Sequence, residues 1–336
     1  MTIATGFLLP ALQRGQPDAA ETLRARLDDA QTGVVTGRVP DPAAALDGQT
    51  GEALAIEHDL ATLDTSLEAG RSAAADLALA AQTLDAAQGL VDDFLSRLTS
   101  VTEAGERTQL PATAVLSGAL IDDLAGLLDT ARAGRHLFSR DATATPPFGD
   151  DGAAALKAFA EQPRFADPAA VAPAFDGGGE AGDFVLSDIY AGGNGTAPAL
   201  PARNGYDPAP DIGADGPAFD ALFSAVVEIH TLLVNVTPET TEETVDALST
   251  ASVRLREAVP GLVGVTAEIG AAEARLSETN VAAETSRLEL EGRLDALIGV
   301  DEYEAASELA AAERTLSVLY ATQARILALS FADYLR

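Results

Sequence analysis

An imidazole can ligate a metal or carry a proton, so the chain's three histidines, His58, His136 and His230, are weighed first. His58 falls on the outer position of a heptad and reads as solvated. His230 lies on an apolar helical face, where a satisfied core imidazole is the ordinary occupant. His136 stands at the end of a helical run, beside Leu137 and Phe138. None has the HExxH spacing of a zinc site. Asp150, Asp151, Glu180, Asp183 and Asp188 offer carboxylates for a cation but lack the alternating order of a calcium loop, and read as a solvated acidic stretch. The glycine clusters Gly177–Gly179 and Gly192–Gly195 have no strand before them and no helix after them, the setting a phosphate cradle requires. Cysteine is absent, which removes thiolate nucleophiles, Cys-ligated metals and disulfides. No nucleophile elbow or Walker loop is present. The reading is of a protein that is not an enzyme and has no catalytic residues, no metal and no cofactor. A hydrolase or cation-dependent enzyme working from residues 139–216 is the rival, and no nucleophile–base pair supports it.

Charge narrows the partners. The chain has 336 residues and a formal net charge of −31. A surface of that sign does not track phosphates or dock on anionic lipid, so nucleic acid and membrane are both excluded as partners. Apolar residues make up 47 % and aromatics only 5 %, with no Trp and a single lysine, Lys157. Ala and Leu supply the apolar content, which favours helix over sandwich. No apolar run is expected to reach the length of a membrane span. The start, MTIATGFLLPALQRG, has no basic stretch before its apolar patch, so no cleaved signal peptide is expected.

Residues 53–98 carry a heptad seam: Ala53, Ile56, Leu60, Leu63, Leu67, Gly70, Ala74, Leu77, Ala81, Leu84, Gln88, Val91, Leu95 and Leu98. All but Gly70 and Gln88 are apolar, and at about 1.5 Å per residue the rod is roughly 70 Å long. Its core is expected at Ile56, Leu60, Leu63, Leu67, Leu77, Leu84, Val91, Leu95 and Leu98. A reversal at 102–109 leads to a second helix over 112–138, opened by Pro111 and antiparallel to the first. From Ser139 to Pro217 Pro and Gly cluster; a short helix is expected at 151–162 and a strand at 183–190. Helix returns at 218–234. A fourth long run then carries a seam from Val245 to Leu297, with a kink expected at Pro260-Gly261 and polar seam residues Glu273, Asn280 and Arg287.

The two ends carry stripes of their own. Near the start, Leu23, Leu27, Ala30 and Val34 share one helical face, with Asp18 placed to cap it. At the end, residues 301–336 run without Gly or Pro, with Leu309, Leu316, Leu319, Tyr320, Ile326, Leu327, Phe331 and Tyr334 as an apolar stripe. Such a stripe must fold back on the body or pack into an assembly. Helical runs on both sides of one loop-rich stretch must pair across it. The fold expected is mainly α: an elongated antiparallel helical, coiled-coil bundle with paired terminal helices and a loop-rich or β inserted lobe.

The last stretch resembles the C-terminus of the flagellin superfamily. The matching residues are Glu304-Ala305-Ala306, Leu316, Leu319-Tyr320-Ala321-Thr322, Leu327-Ala328-Leu329-Ser330-Phe331 and Tyr334-Leu335. A second segment, His136-Leu137-Phe138-Ser139 followed by Thr145-Pro146-Pro147-Phe148, resembles the "YLFSG…TPPF" pattern of the hook-filament junction (hook-associated) proteins within that superfamily. His136 stands where Tyr is usual and Arg140 where Gly is usual. Gln31-Thr32-Gly33 to Thr36-Gly37-Arg38-Val39 resembles the usual "LSTGKRV", and Pro40-Asp41-Pro42-Ala43 keeps part of the acidic run that follows it. Residues 150–216 are not covered.

The resemblance implies a structural part of the bacterial flagellum, exported by the flagellar type III apparatus to the extracellular hook-filament junction. It implies a terminal assembly domain of residues 1–45 and 301–336, a rod of 46–145 and 217–300, and a variable lobe of 146–216. Its implied partners are further copies in a ring, a hook-side junction protein, flagellin, and an export chaperone at the C-terminal helix. The implied assembly interface is Leu23, Leu27, Val34, Leu309, Leu316, Leu319, Tyr320, Ile326, Leu327, Phe331 and Tyr334. A flagellin filament subunit and a coiled-coil adaptor unrelated to flagella are the alternatives.

Overall fold

The structure is a computed structural model that describes residues 9–41, 44, 50–103, 107–176, 183–202 and 205–334, with side chains at 9–20, 103 and 326–334 outside the description. It is mainly α. The elements are α1 (Leu9–Thr36), α2 (Thr50–Glu103), α3 (Leu110–Leu128), β1 (Ala131–Arg132), β2 (Arg135–His136), α4 (Gly149–Ala160), α5 (Val171–Phe175), β3 (Leu200–Ala202), β4 (Gly205–Asp207), α6 (Pro217–Val234), α7 (Thr241–Ile298) and α8 (Glu302–Tyr334). The chain divides into two compact units: Met1–Thr65 with Glu284–Arg336, and Ser66–Ala283.

The larger unit holds one continuous core. Leu67, Leu77, Leu84, Val91, Leu95 and Leu98 of α2 are buried, as the heptads predict. Opposite them α7 buries Leu248, Leu255, Leu262, Ile269 and Leu276. The polar breaks in the two seams meet one another. A Cβ at Gly70 would lie 2.1 Å from Asn280 Oδ1, so the glycine makes room for that amide. Gln88 Nε2 donates to Thr266 Oγ1 at 3.5 Å, and Arg256 Nη2 donates to Thr99 Oγ1 at 2.9 Å. As numbers rise on α2 they fall on α7, so the two helices are antiparallel. The third layer is α6, buried along nearly its whole length from Phe219 to Leu233.

Three expectations need correction. Helix α3 stops at Leu128, not 138; its C-cap Asp129 turns the chain into a β1–β2 hairpin. The turn uses left-handed backbone at Ala133 (φ 51°) and Gly134 (φ 76°), which a helix does not hold. Residues 183–190 form no strand: Phe184 and Leu186 are buried, but around a 3₁₀ turn at Leu186–Asp188. Helix α7 continues through Pro260, the position at which a kink is expected; the proline is exposed, so the carbonyl that loses its partner can turn to solvent. Helix α1 begins at Leu9, which places Asp18 inside it and not at its cap.

The loop-rich stretch shares the core of the larger unit. Phe148 meets Phe223 of α6 at 5.0 Å between ring centroids, and Phe138 meets Phe219 at 6.0 Å. Phe159, Phe165, Phe175 and Phe184 form a second aromatic cluster, with Phe159 at 5.3–5.5 Å from the other three. These rings, with Leu156, Val171 and Leu186, belong to the same buried cluster as α6.

In the smaller unit, Ala53 and Ile56 of α2 pack on Leu294 and Ile298 of α7, with Leu60 alongside. Leu63 is half-buried, and Arg287 Nε lies 3.0 Å from Asp64 Oδ1. The rest of this unit is the pair α1–α8.

Candidate functional site

The terminal stripes meet in the pair α1–α8. Its closed end is built from small residues: Ala30, Gly33 and Ala305 are buried, and a Cβ at Gly33 would stand 3.8 Å from both Ala305 Cβ and Val300 Cγ2. Gly37 ends α1 in the left-handed conformation (φ 67°), its N–H donating to Gly33 O at 2.8 Å. Two bonds then tie this exit to the approach of α8: Val39 N–H to Ile298 O at 2.8 Å and Val300 N–H to Gly37 O at 3.0 Å. Asp301 caps α8, its Oδ1 accepting from the N–H groups of Tyr303 (2.8 Å) and Glu304 (3.3 Å). Farther along, Arg24 Nε and Nη2 donate to the Tyr320 hydroxyl at 3.1 and 2.6 Å, with the guanidinium 5.8 Å from the ring centroid.

The large stripe residues are not sealed by this pairing. Leu23, Leu27, Leu309, Leu316 and Leu319 are half-buried. Val34 and Tyr320 are exposed at 36 % and 41 %. Ile326, Leu327, Phe331 and Tyr334 lie on α8, but their side chains fall outside the described residues. Val35, Val318 and Tyr303 add exposed apolar surface that the stripe does not include; Tyr303 reaches 86 %. Beside the pair runs a groove of about 480 Å³, lined by small residues of both helices together with Leu23, Arg26, Asp29 and Glu308.

Two of the three histidines are engaged with the protein itself. His230 is buried, its Nδ1 2.8 Å from Ser117 Oγ; burial, reinforced by nearby Lys157, holds its pKa below the ordinary imidazole value. His136 Nδ1 donates to Asp129 O at 2.7 Å, and His58 is exposed. The glycine loop at 192–195 wraps a protein carboxylate: Gly195 N–H donates to Asp141 Oδ1 at 2.9 Å, and a Cβ at Gly193 would collide with the same oxygen. Gly177–Gly179 and Glu180 lie outside the described residues. Asp150 and Asp151 occupy the first turn of α4, and Asp188 ends the 3₁₀ turn. Among the described residues no group of three or more His, Asp and Glu could hold a metal.

Two ionic sites escaped the sequence reading. Arg140, in left-handed backbone (φ 52°), pairs through Nη2 with Asp211 at 3.3 Å and through Nε with Asp215 at 2.8 Å. Glu228 is buried in α6 and accepts from Arg254 Nη1 at 3.2 Å, while Arg254 Nη2 reaches Asp176 at 2.8 Å. Burial pushes the Glu228 carboxyl up to about 7 against the lowering pull of Arg254. A glutamate inside the run AVVEIHTLLV was the available signal for this second site.

No protein-family model and no curated protein matches the chain. Among solved structures it is similar to that of Bacillus cereus FlgL, at 18 % sequence identity and a TM-score of 0.47, over 72 % of this chain and 99 % of that one.

Proposed function

We propose that this protein is a structural subunit of the bacterial flagellum, an adaptor at the hook-filament junction that works outside the cell after type III export. The observation that carries the reading is the α1–α8 pair. It closes over Ala30, Gly33 and Ala305, and leaves Leu23, Leu27, Leu309, Leu316 and Leu319 only half covered. Two helices that bury small residues and half-expose large ones keep a surface for neighbours. That surface falls on the residues by which the chain resembles the flagellin superfamily. The His136–Phe148 segment favours the junction over the filament itself. Neighbouring copies, a hook-side junction protein and flagellin are the partners this reading requires. The function is then mechanical, and the rod serves to hold the terminal helices in place.

Leu319→Asp tests the reading. It puts a carboxylate into the shared surface and leaves the core of the larger unit untouched. The variant should keep its far-ultraviolet circular dichroism yet fail to restore filaments in a deletion strain. That strain should build hooks and shed flagellin into the medium. Normal filaments in the deletion strain would overturn the junction assignment. Recovery of the protein as the bulk of purified filament would replace it with the filament subunit.

A further inference from the structure

We propose that Asn194-Gly195 is a site of spontaneous backbone modification by succinimide formation, and that Asp141 holds the reaction back by binding the nitrogen that must attack. The inference is independent of the assembly reading. Asparagine is among the thermolabile residues, and in an Asn-Gly pair no side chain on the following residue hinders attack of its backbone nitrogen on the asparagine side chain. Here the fold demands that glycine: a Cβ at 195 would lie 2.5 Å from Asp141 Oδ2. The residue that lets the loop wrap the carboxylate therefore also makes the pair reactive. Asn194 is exposed, so water reaches it.

The reaction uses only the chain and water. Gly195 N gives up its proton and bonds Asn194 Cγ, and the side-chain nitrogen leaves with that proton as ammonia. Water then opens the succinimide ring at either carbonyl, giving aspartate or isoaspartate. Isoaspartate adds a carbon to the main chain of a loop that already fits closely round Asp141. Two features oppose the first step. Gly195 N–H donates to Asp141 Oδ1 at 2.9 Å, and a carboxylate beside the nitrogen disfavours the anion that the attack requires. The chain before Asn194 is held as well: Gly193 N–H donates to Ser139 O at 3.0 Å and Ala191 N–H to Pro147 O at 2.7 Å. The loop therefore cannot turn freely to bring Cγ onto the nitrogen.

A second pair, Asn204-Gly205, serves as a reference in the same chain, and cleavage after Arg203 puts the two asparagines on separate peptides. Full-length protein incubated at pH 8 and 37 °C, then briefly digested and weighed by mass spectrometry, gives the rate at each. In urea the two rates should be similar. In the native wild type Asn194 should react about tenfold more slowly than in urea, since the Gly195 bond must open first. Asp141→Ala should recover most of that factor at Asn194 and leave the Asn204 rate unchanged. Asp141→Asn, which keeps an oxygen for the N–H but no charge, should fall between. Circular dichroism of each variant establishes that it is folded. A native wild-type rate equal to the rate in urea overturns the proposal, as does a folded Asp141→Ala protein that is no faster at Asn194. Where Asp141→Ala does not fold, an Asp141→Asn rate no faster than the wild type overturns it instead.

Discussion

At Glu228 a carboxylate sits among the apolar side chains of α6, and desolvation outweighs the pull of Arg254. Its pKa rises from the ordinary 4.5 to about 7. The folded state therefore holds the proton more tightly than the unfolded chain. The stability this linkage supplies is complete below pH about 4.5 and is lost as pH rises through about 7, a swing of about 3 kcal/mol. Glu228→Gln should remove that slope. Urea titrations at pH 5 and pH 8 should show a smaller difference for the variant than for the wild type, and equal slopes would show that the carboxylate is not protonated on folding. Arg140 poses a different problem. A non-glycine residue at φ 52° is strained by about 1 kcal/mol, yet its side chain is held by Asp211 and Asp215. Arg140→Ala keeps the strain and abandons both carboxylates, so it should cost about 2–3 kcal/mol. Arg140→Gly relieves the backbone and should cost about 1 kcal/mol less, measured by the same denaturation. Arg140 was noticed in the sequence only as a departure from glycine. Its partners lie some seventy residues along the chain, where no local pattern links them.

At the scale of elements, the heptads of α2 were legible because a period of seven repeats along the whole helix, and packing against α7 enforces it at each turn. The seam is nevertheless not uniform. Leu84 is fully buried, whereas Leu63 keeps part of its surface. Leu84→Ala should cost about 2–5 kcal/mol and Leu63→Ala about 1 kcal/mol, by thermal melting of the two variants. The stripe of α8 was legible for the same reason as the seam, whereas its pairing over Ala30, Gly33 and Ala305 was not. Small residues leave no periodic mark that separates a close contact from an alanine-rich surface. The β1–β2 hairpin was missed because two-residue strands bearing Arg132, Arg135 and His136 show no alternation of apolar and polar. The apolar run at Phe184–Ile189 was read as a strand because short apolar runs look alike whether they pair or merely bury. Here Phe184 N–H is satisfied by Ala174 O at 2.9 Å, so no ladder is needed.

For the whole molecule, charge and topology set the terms. A net charge of −31 on 336 residues makes the compact state repel itself. Raising sodium chloride from about 0.05 to 0.5 M shortens the screening length from about 14 to about 4 Å. The melting temperature should rise over that range, by calorimetry, and a flat or falling curve would show that ion pairs outweigh the repulsion. Composition made the helical class legible. It did not show that the loop-rich stretch completes the core under α6, because that depends on where Phe148, Leu156 and Leu186 land in three dimensions.

The division of the chain also orders its folding. The smaller unit is assembled from Met1–Thr65 and Glu284–Arg336, and the larger lies wholly between them. Contacts such as Arg24 to Tyr320 therefore close a loop of nearly three hundred residues, a search that is slow and entropically costly in an unfolded chain. Collapse of Ser66–Ala283 removes most of that loop before the ends must meet. During synthesis α1 emerges well before α8 and has no partner until α8 follows it. Through that interval its stripe is bare, and the nascent chain is open to mispairing until α8 has emerged.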